Sequence, residues 1–207
     1  ERSRDRFLSD AEIRAIWGAT NACSQVARSF IRILLLTGQR RDEVRMMVWD
    51  ELDIEKGDWD LPASRTKNKG RHLVPLTSRV IDELSILKVH YEALGIGQSK
   101  YVFTVTGENP YAGLRRLKEN LDRDSGIEDW VFHDFRRTFS TSLSRIGIPP
   151  RIRRACLNHS TKDGLDKVYD LYDLHDEKRE ALSAWAGYLM RTVGEIDSDN
   201  VVSMTTG

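Results

Sequence analysis

The chain has 207 residues, 40% of them hydrophobic and 31% charged, with 32 basic and 32 acidic side chains in balance. That length supports a substantial core in one large domain or two small ones, and the composition excludes a disordered chain. The longest strongly apolar run, Ile33 to Leu36, is far too short to cross a bilayer, and the charged opening from Glu1 to Arg6 does not read as a cleavable signal.

Ser9 followed by Glu12 reads as a capping box, so a helix is predicted from about Asp10, with Ile13, Ile16 and Trp17 at helical spacing. A second helix runs from about Ser24 to Leu36 and ends at Thr37-Gly38, and Arg41 to Met47 reads as a short third. The texture then changes. Trp49 to Ile54, Asp58 to Pro62 and His72 to Leu76 are short and rich in aromatic or β-branched residues, with turn signals at Lys56-Gly57 and Asn68-Lys69-Gly70 between them. They predict a three-stranded antiparallel sheet. Helical patterning returns over Ser78 to Leu94, and Tyr101 to Thr104 reads as an isolated extended piece. Further helices are predicted over Tyr111 to Leu121, His133 to Ile146 and Pro150 to about Leu157, then Lys162 to Tyr172 and Glu177 to Met190. The tail from Gly194 has little core-forming material. The fold class is mainly α with one small three-stranded antiparallel β-sheet. Cys23 and Cys156 lie in helical apolar patterns without metal spacing and read as reduced core residues of a cytosolic protein.

Overall neutrality hides an uneven distribution. Val131 to Ser160 carries six arginines against one acidic residue, Asp134, whereas Thr161 to Gly207 carries ten acidic and five basic residues. A basic segment of this kind suits a phosphate-binding surface. Within it, His133 and Arg136 stand at i and i+3 and share a helix face. Three other segments carry matching chemistry. Thr37 to Glu43 places Arg40 just after a helix-ending glycine, Arg65 to Lys69 occupies the turn between the second and third strands, and Leu157-Asn158-His159 ends a helix ten residues before Tyr169.

The ordered set resembles the tyrosine recombinases, the phage-integrase family, in their C-terminal catalytic domain. The residues that carry the resemblance are Leu36 to Arg41, Val48 to Asp53, Arg65-Thr66-Lys67 ahead of Val74-Pro75-Leu76, His133 to Phe139, and Glu180 to Trp185. The last phrase, with Gln39-Arg40-Arg41, is similar to integrases of prophages and genomic islands. The resemblance covers roughly Phe7 to Met190. It implies a tyrosine-recombinase catalytic-domain fold and a DNA strand transferase that integrates or excises a mobile element. By the same resemblance Arg40 and Arg136 are expected to clamp the scissile phosphate, where fixed guanidinium forks would meet the extra negative charge of a pentavalent state. His159 adds a hydrogen bond, His133 does the same or moves a proton, and Lys67, on a mobile hairpin turn, protonates the leaving 5′ oxygen. The resemblance implies Tyr169 as the nucleophile of a 3′-phosphotyrosyl intermediate, with Tyr172 as its competitor on the same helical face. Because that link conserves the phosphodiester energy, neither ATP nor a metal or other cofactor is expected. Lys69, Arg71 and Arg137 are candidates for contacts to the DNA backbone, Glu43 buttresses Arg40, and Asp134 is structural at a helix N-terminus.

The implied partners are double-stranded attachment-site DNA, other integrase protomers forming a tetramer on it, and a directionality factor. Residues 1–8 are expected to be the remnant of an interdomain linker, 9–193 the catalytic domain and 194–207 a flexible tail, so the chain reads as a piece of a longer integrase. Its DNA affinity is expected to be weak and salt-dependent. Each residue alone has a plainer reading: Arg40 as a helix-end arginine, Lys67 as a solvated turn lysine, Tyr169 as a core residue. Asn158 stands where glycine is common, which puts the shape of that turn in question. The alternatives are a DNA-binding regulator without catalysis and a type IB topoisomerase-like enzyme.

Overall fold

A computed structural model describes residues 5–159 and 174–195. Helix α1 spans Asp10–Ala19, and its start is a capping box: the Ser9 hydroxyl accepts the Glu12 amide at 3.3 Å while the Glu12 carboxylate accepts the Ser9 amide at 2.8 Å. Helix α2, Gln25–Thr37, is buried on nearly every face, with Phe30, Ile31, Ile33 and Leu35 all wholly inaccessible. An all-round apolar helix has to lie at the centre, and α2 packs against α3 (Arg41–Arg45), α4 (Ser78–Leu94), α6 (Phe132–Arg145) and α8 (His175–Val193). Each such apolar side chain removed from water contributes about 1.5–3 kcal/mol.

The helix ends at Gly38 with φ +63°, and there is no room for a larger residue: a Cβ there would meet the Phe139 ring at 2.4 Å. The chain is thereby forced into a sharp exit that delivers Arg40 to the start of α3.

The sheet has the order β1-β2-β3, formed by Leu52–Asp53, Asp58–Leu61 and His72–Pro75, antiparallel throughout, with Trp59 paired to Leu52 and to Val74. The first strand is shorter than its composition predicts, because Trp49–Glu51 winds into a 3-10 turn. All four residues of β3 are buried, for α8 lies across it: the Lys178 ammonium donates to the Leu73 carbonyl at 2.5 Å and Arg179 donates to the Gly57 carbonyl at 3.3 Å.

Helix α5, Leu114–Ser125, starts three residues later than the sequence pattern predicts. The Tyr111 amide is held at 2.7 Å by the Phe103 carbonyl, which keeps Tyr111 in the extended segment. Helix α7 is Pro150–Cys156, opened by proline at its first position. Cys156 is buried at its end, whereas Cys23 lies just past a 3-10 turn and is only partly buried, outside any helix. Helix α8 extends beyond both predicted ends. After it, Glu195 accepts from the Trp17 indole at 2.8 Å and pairs with Arg32 at 3.6 Å, so the first residue past Gly194 is anchored to the body. The predicted helix from Lys162 to Tyr172 and the rest of the tail lie outside the described residues. A single apolar cluster joins side chains from Leu8 to Met190.

Candidate active site

Arg40 is the N-cap residue of α3. Glu43, one turn on and only 5% exposed, accepts the Arg40 amide at 3.1 Å and the Arg40 guanidinium at 2.8 Å. One carboxylate therefore orients both backbone and side chain, as the sequence reading assigned to Glu43. Arg65 ties the next piece down: it pairs with Glu51 and donates to the Glu43 carbonyl at 2.6 Å. Two residues further, Lys67 stands exposed in a loop closed by a bond from the Thr66 hydroxyl to the Gly70 carbonyl at 2.8 Å.

Helix α6 supplies the next two groups. Asp134, fully buried at the third helical position, accepts the Val131 amide at 2.9 Å and pairs with Arg137 at 2.8 Å. His133 faces outward, while Arg136 is drawn inward to 4% exposure. The Arg136 fork donates to the Gly38 carbonyl at 3.1 Å and to the Leu157 carbonyl, so it bridges the turn before Arg40 and the turn before His159. Burial, with Arg40 beside it, lowers its pKa to about 10, which leaves it charged at neutral pH.

The α7 C-terminus presents His159. Asn158 adopts φ +48°, the left-handed conformation that glycine supplies in such turns. The Asn158 amide bonds the Ala155 carbonyl at 3.1 Å and the His159 amide bonds the Arg154 carbonyl at 2.9 Å, which is a Schellman closure. Asparagine therefore keeps the turn that glycine would make. Burial first, then Arg136, Arg40 and His133, push the His159 pKa down; burial and then Arg137 and Arg136 do the same for His133, against the opposing pull of Asp134. Both imidazoles are therefore biased toward the neutral form.

Arg40, Lys67 and His133 line one cleft of about 830 Å³, with Arg41, Thr66, Met46, Phe132 and Lys118 in its walls. Arg136 and His159 lie close enough to feel the charge of Arg40, so the structure brings together five of the six residues singled out from sequence. The sixth, Tyr169, and its competitor Tyr172 lie outside the described residues. Of the backbone-contact candidates, Lys69 is exposed with φ +54°, Arg71 is paired with Asp60, and Arg137 with Asp134. Sequence reading missed Lys118, whose ammonium lies 4.3 Å over the Trp130 ring and 2.5 Å from Asp122. Its i to i+4 spacing from Asp122 was visible, but the approach of Lys118 to Trp130 and to the cleft was not. Among the described residues, no group of three His, Cys, Asp or Glu side chains is placed to hold a metal ion, and no helix is long and apolar enough to cross a membrane.

This arrangement concentrates fixed donors and positive charge, with Glu43 as the buried counter-charge, where a phosphodiester could sit. Prophage integrase IntA of Escherichia coli K12 is 28% identical over 167 residues, covering 81% of this chain and 40% of that protein. The integrase of Shigella phage Sf6 is 26% identical over 172 residues, covering 83% and 44%. The chain thus spans less than half the length of these curated relatives. Among solved structures, XerA recombinase superposes with a TM-score of 0.62 at 20% identity, covering 78% of this chain and 58% of that one. A lambda integrase tetramer bound to a Holliday junction gives 0.59 at 16%, covering 82% and 51%. Both establish likeness of fold. The model of the phage integrase family matches residues 6–172, and the chain belongs to that family.

Proposed function

We propose that this chain is the DNA-cleaving and rejoining domain of a site-specific recombinase that integrates or excises a mobile element. The observation that carries the reading is the convergence of Arg40, Arg136, His133 and His159, with Lys67 on the wall of the same cleft. In this reading Arg40 and Arg136 hold the nonbridging oxygens of the scissile phosphate, and the neutral imidazole of His159 donates a further hydrogen bond. Tyr169 attacks phosphorus through its phenolic oxygen, and the neutral imidazole of His133 takes the phenolic proton. The P–O5′ bond breaks, a 3′-phosphotyrosyl link forms, and Lys67 gives its proton to the departing 5′ oxygen. Attack by the 5′ hydroxyl of a partner strand reverses each step. The substrate is double-stranded attachment-site DNA, held by a tetramer of protomers in the host or bacterial cytoplasm, with a directionality factor biasing the outcome.

The test uses a duplex of the crossover sequence, nicked just past the scissile phosphate so that the short product strand diffuses away. A covalent protein–DNA adduct is expected from the wild-type chain and none from Tyr169→Phe. Arg136→Lys, which keeps charge but loses the fork, is expected to slow adduct formation about a hundredfold. An adduct that persists in Tyr169→Phe and vanishes in Tyr172→Phe moves the nucleophile to Tyr172. Binding without any adduct leaves a DNA-binding regulator, and relaxation of supercoiled plasmid without strand exchange leaves a topoisomerase-like enzyme.

A further inference from the structure

A helix that ends leaves its last carbonyls without amide partners. At the end of α7, Arg154 and Ala155 are served by the Schellman closure, but the next three carbonyls, of Cys156, Leu157 and Asn158, point away from it. Every one is taken by a side chain from a different part of the fold. The Cys156 carbonyl accepts from Gln39 at 2.9 Å and from His72 Nε2 at 3.2 Å. The Leu157 carbonyl accepts from Arg136 and the Asn158 carbonyl from Asn68, while Asn158 in turn reaches the Gly70 carbonyl at 3.5 Å. Since a carbonyl only accepts, the His72 proton sits on Nε2.

The sources of these donors are informative. Gln39 adjoins Arg40, Asn68 adjoins Lys67, and Arg136 is buried close enough to Arg40 to feel its charge. The turn that ends in His159 is therefore registered against Arg136 itself and against the immediate neighbours of Arg40 and Lys67. His72 stands out because strand β3 needs only an apolar residue at that position: its neighbours Leu73 and Val74 are buried without polar function, whereas His72 is 4% exposed with a polar ring. Water or a lone cap would satisfy these carbonyls, but would leave the turn free to shift.

We propose that His72, together with Gln39 and Asn68, is a positioning residue for His159, holding the α7 turn so that the imidazole meets the phosphate that Arg40 and Arg136 bind. This rests on the recombinase reading given above. Misplacing a reacting group by even an ångström slows other enzymes about a hundredfold, and a loosened turn retains part of its geometry, so about tenfold is expected here.

Adduct formation is measured under single turnover on the nicked duplex, with DNA affinity measured separately. His72→Leu is expected to slow the adduct step about tenfold with affinity unchanged, and His72→Gln, which returns a donor, is expected to recover to within about twofold of wild type. In a His159→Ala background His72→Leu is expected to add nothing, because two changes acting through one group are not additive. Asn68→Ala, at an exposed position that does not endanger folding, is expected to slow the step about threefold. An equal loss from His72→Leu in the His159→Ala background overturns the proposal, as do wild-type rates in both His72→Leu and Asn68→Ala. Hydrogen exchange at the Asn158 and His159 amides of the DNA-free chain separates this failure from that of the function itself. Absence of an adduct from the wild-type chain overturns the recombinase reading, and unchanged exchange in the variants overturns the clamp.

Discussion

Gly38→Ala tests whether the exit from α2 is dictated by backbone conformation and by the Phe139 ring together. The residue lies at φ +63°, and an added Cβ would approach three Phe139 ring carbons at 2.4, 2.6 and 2.8 Å. The left-handed conformation costs a residue with a Cβ about 1–2 kcal/mol. Overpacking against a buried ring costs roughly a further 1–3 kcal/mol. Against these, losing glycine's freedom in the unfolded chain returns about 0.4–1 kcal/mol. The net is a destabilisation of about 1–5 kcal/mol, which for a chain of this size lowers Tm by about 2–20 °C. Urea unfolding followed by tryptophan fluorescence reads it as a fall in midpoint at constant slope. In a Phe139→Ala background the steric part disappears and only the backbone part, about 1 kcal/mol, is expected to remain. An undiminished cost in that background refutes the steric argument, and a midpoint unchanged by Gly38→Ala alone refutes both.

Two further predictions concern charge. Burial first, then Lys178, with Arg136 and Arg40 adding to it against the Cys156 hydrogen bond, pushes the His72 pKa down to about 3. The folded value lies below the unfolded one, so the stability associated with neutral His72 is fully present above about pH 6.5 and is lost as pH falls toward 3, by up to about 1.4 kcal/mol per pH unit. Urea midpoints for wild type and His72→Gln at pH 7, 6, 5 and 4 should therefore converge on acidification, and parallel curves would sink the assignment of a neutral buried imidazole. Lys118→Ala is expected to weaken DNA binding and reduce the slope of log affinity against log salt by about 0.9, the signature of one lost phosphate contact. An unchanged slope means that Lys118 serves only its partners within the fold, Asp122, Trp130 and the Glu128 carbonyl.

The parts of the fold legible in sequence were those set by local rules. Ser9 and Glu12 announced α1, Gly38 ended α2, Pro150 opened α7, and the Lys56-Gly57 turn separated β1 from β2. Boundaries failed where a distant partner decided them, as with Tyr111, which the Phe103 carbonyl keeps out of α5. The cleft residues were legible through family resemblance, whose motifs retain Arg40, Lys67, His133, Arg136 and His159 in order. The inward turn of Arg136 and the approach of Lys118 to Trp130 were not, because they depend on tertiary packing of segments far apart in the chain. His72 gave no warning at all, since a histidine in a short strand reads equally as surface or core. Asn158 raised a doubt that its backbone angle resolved.

The bonds that close the cleft also fix when it can exist. Arg136 reaches Gly38 across 98 positions, Asn68 reaches Asn158 across 90, and Gln39 reaches Cys156 across 117. A chain emerging from the ribosome therefore holds Arg40 and Lys67 for most of its synthesis without the turn that completes the arginine pair and brings in His159. Only when residues beyond α7 have cleared the exit tunnel can these long loops close. Chains that end before α7 thus lack the turn that presents His159 and accepts from Arg136 and Gln39.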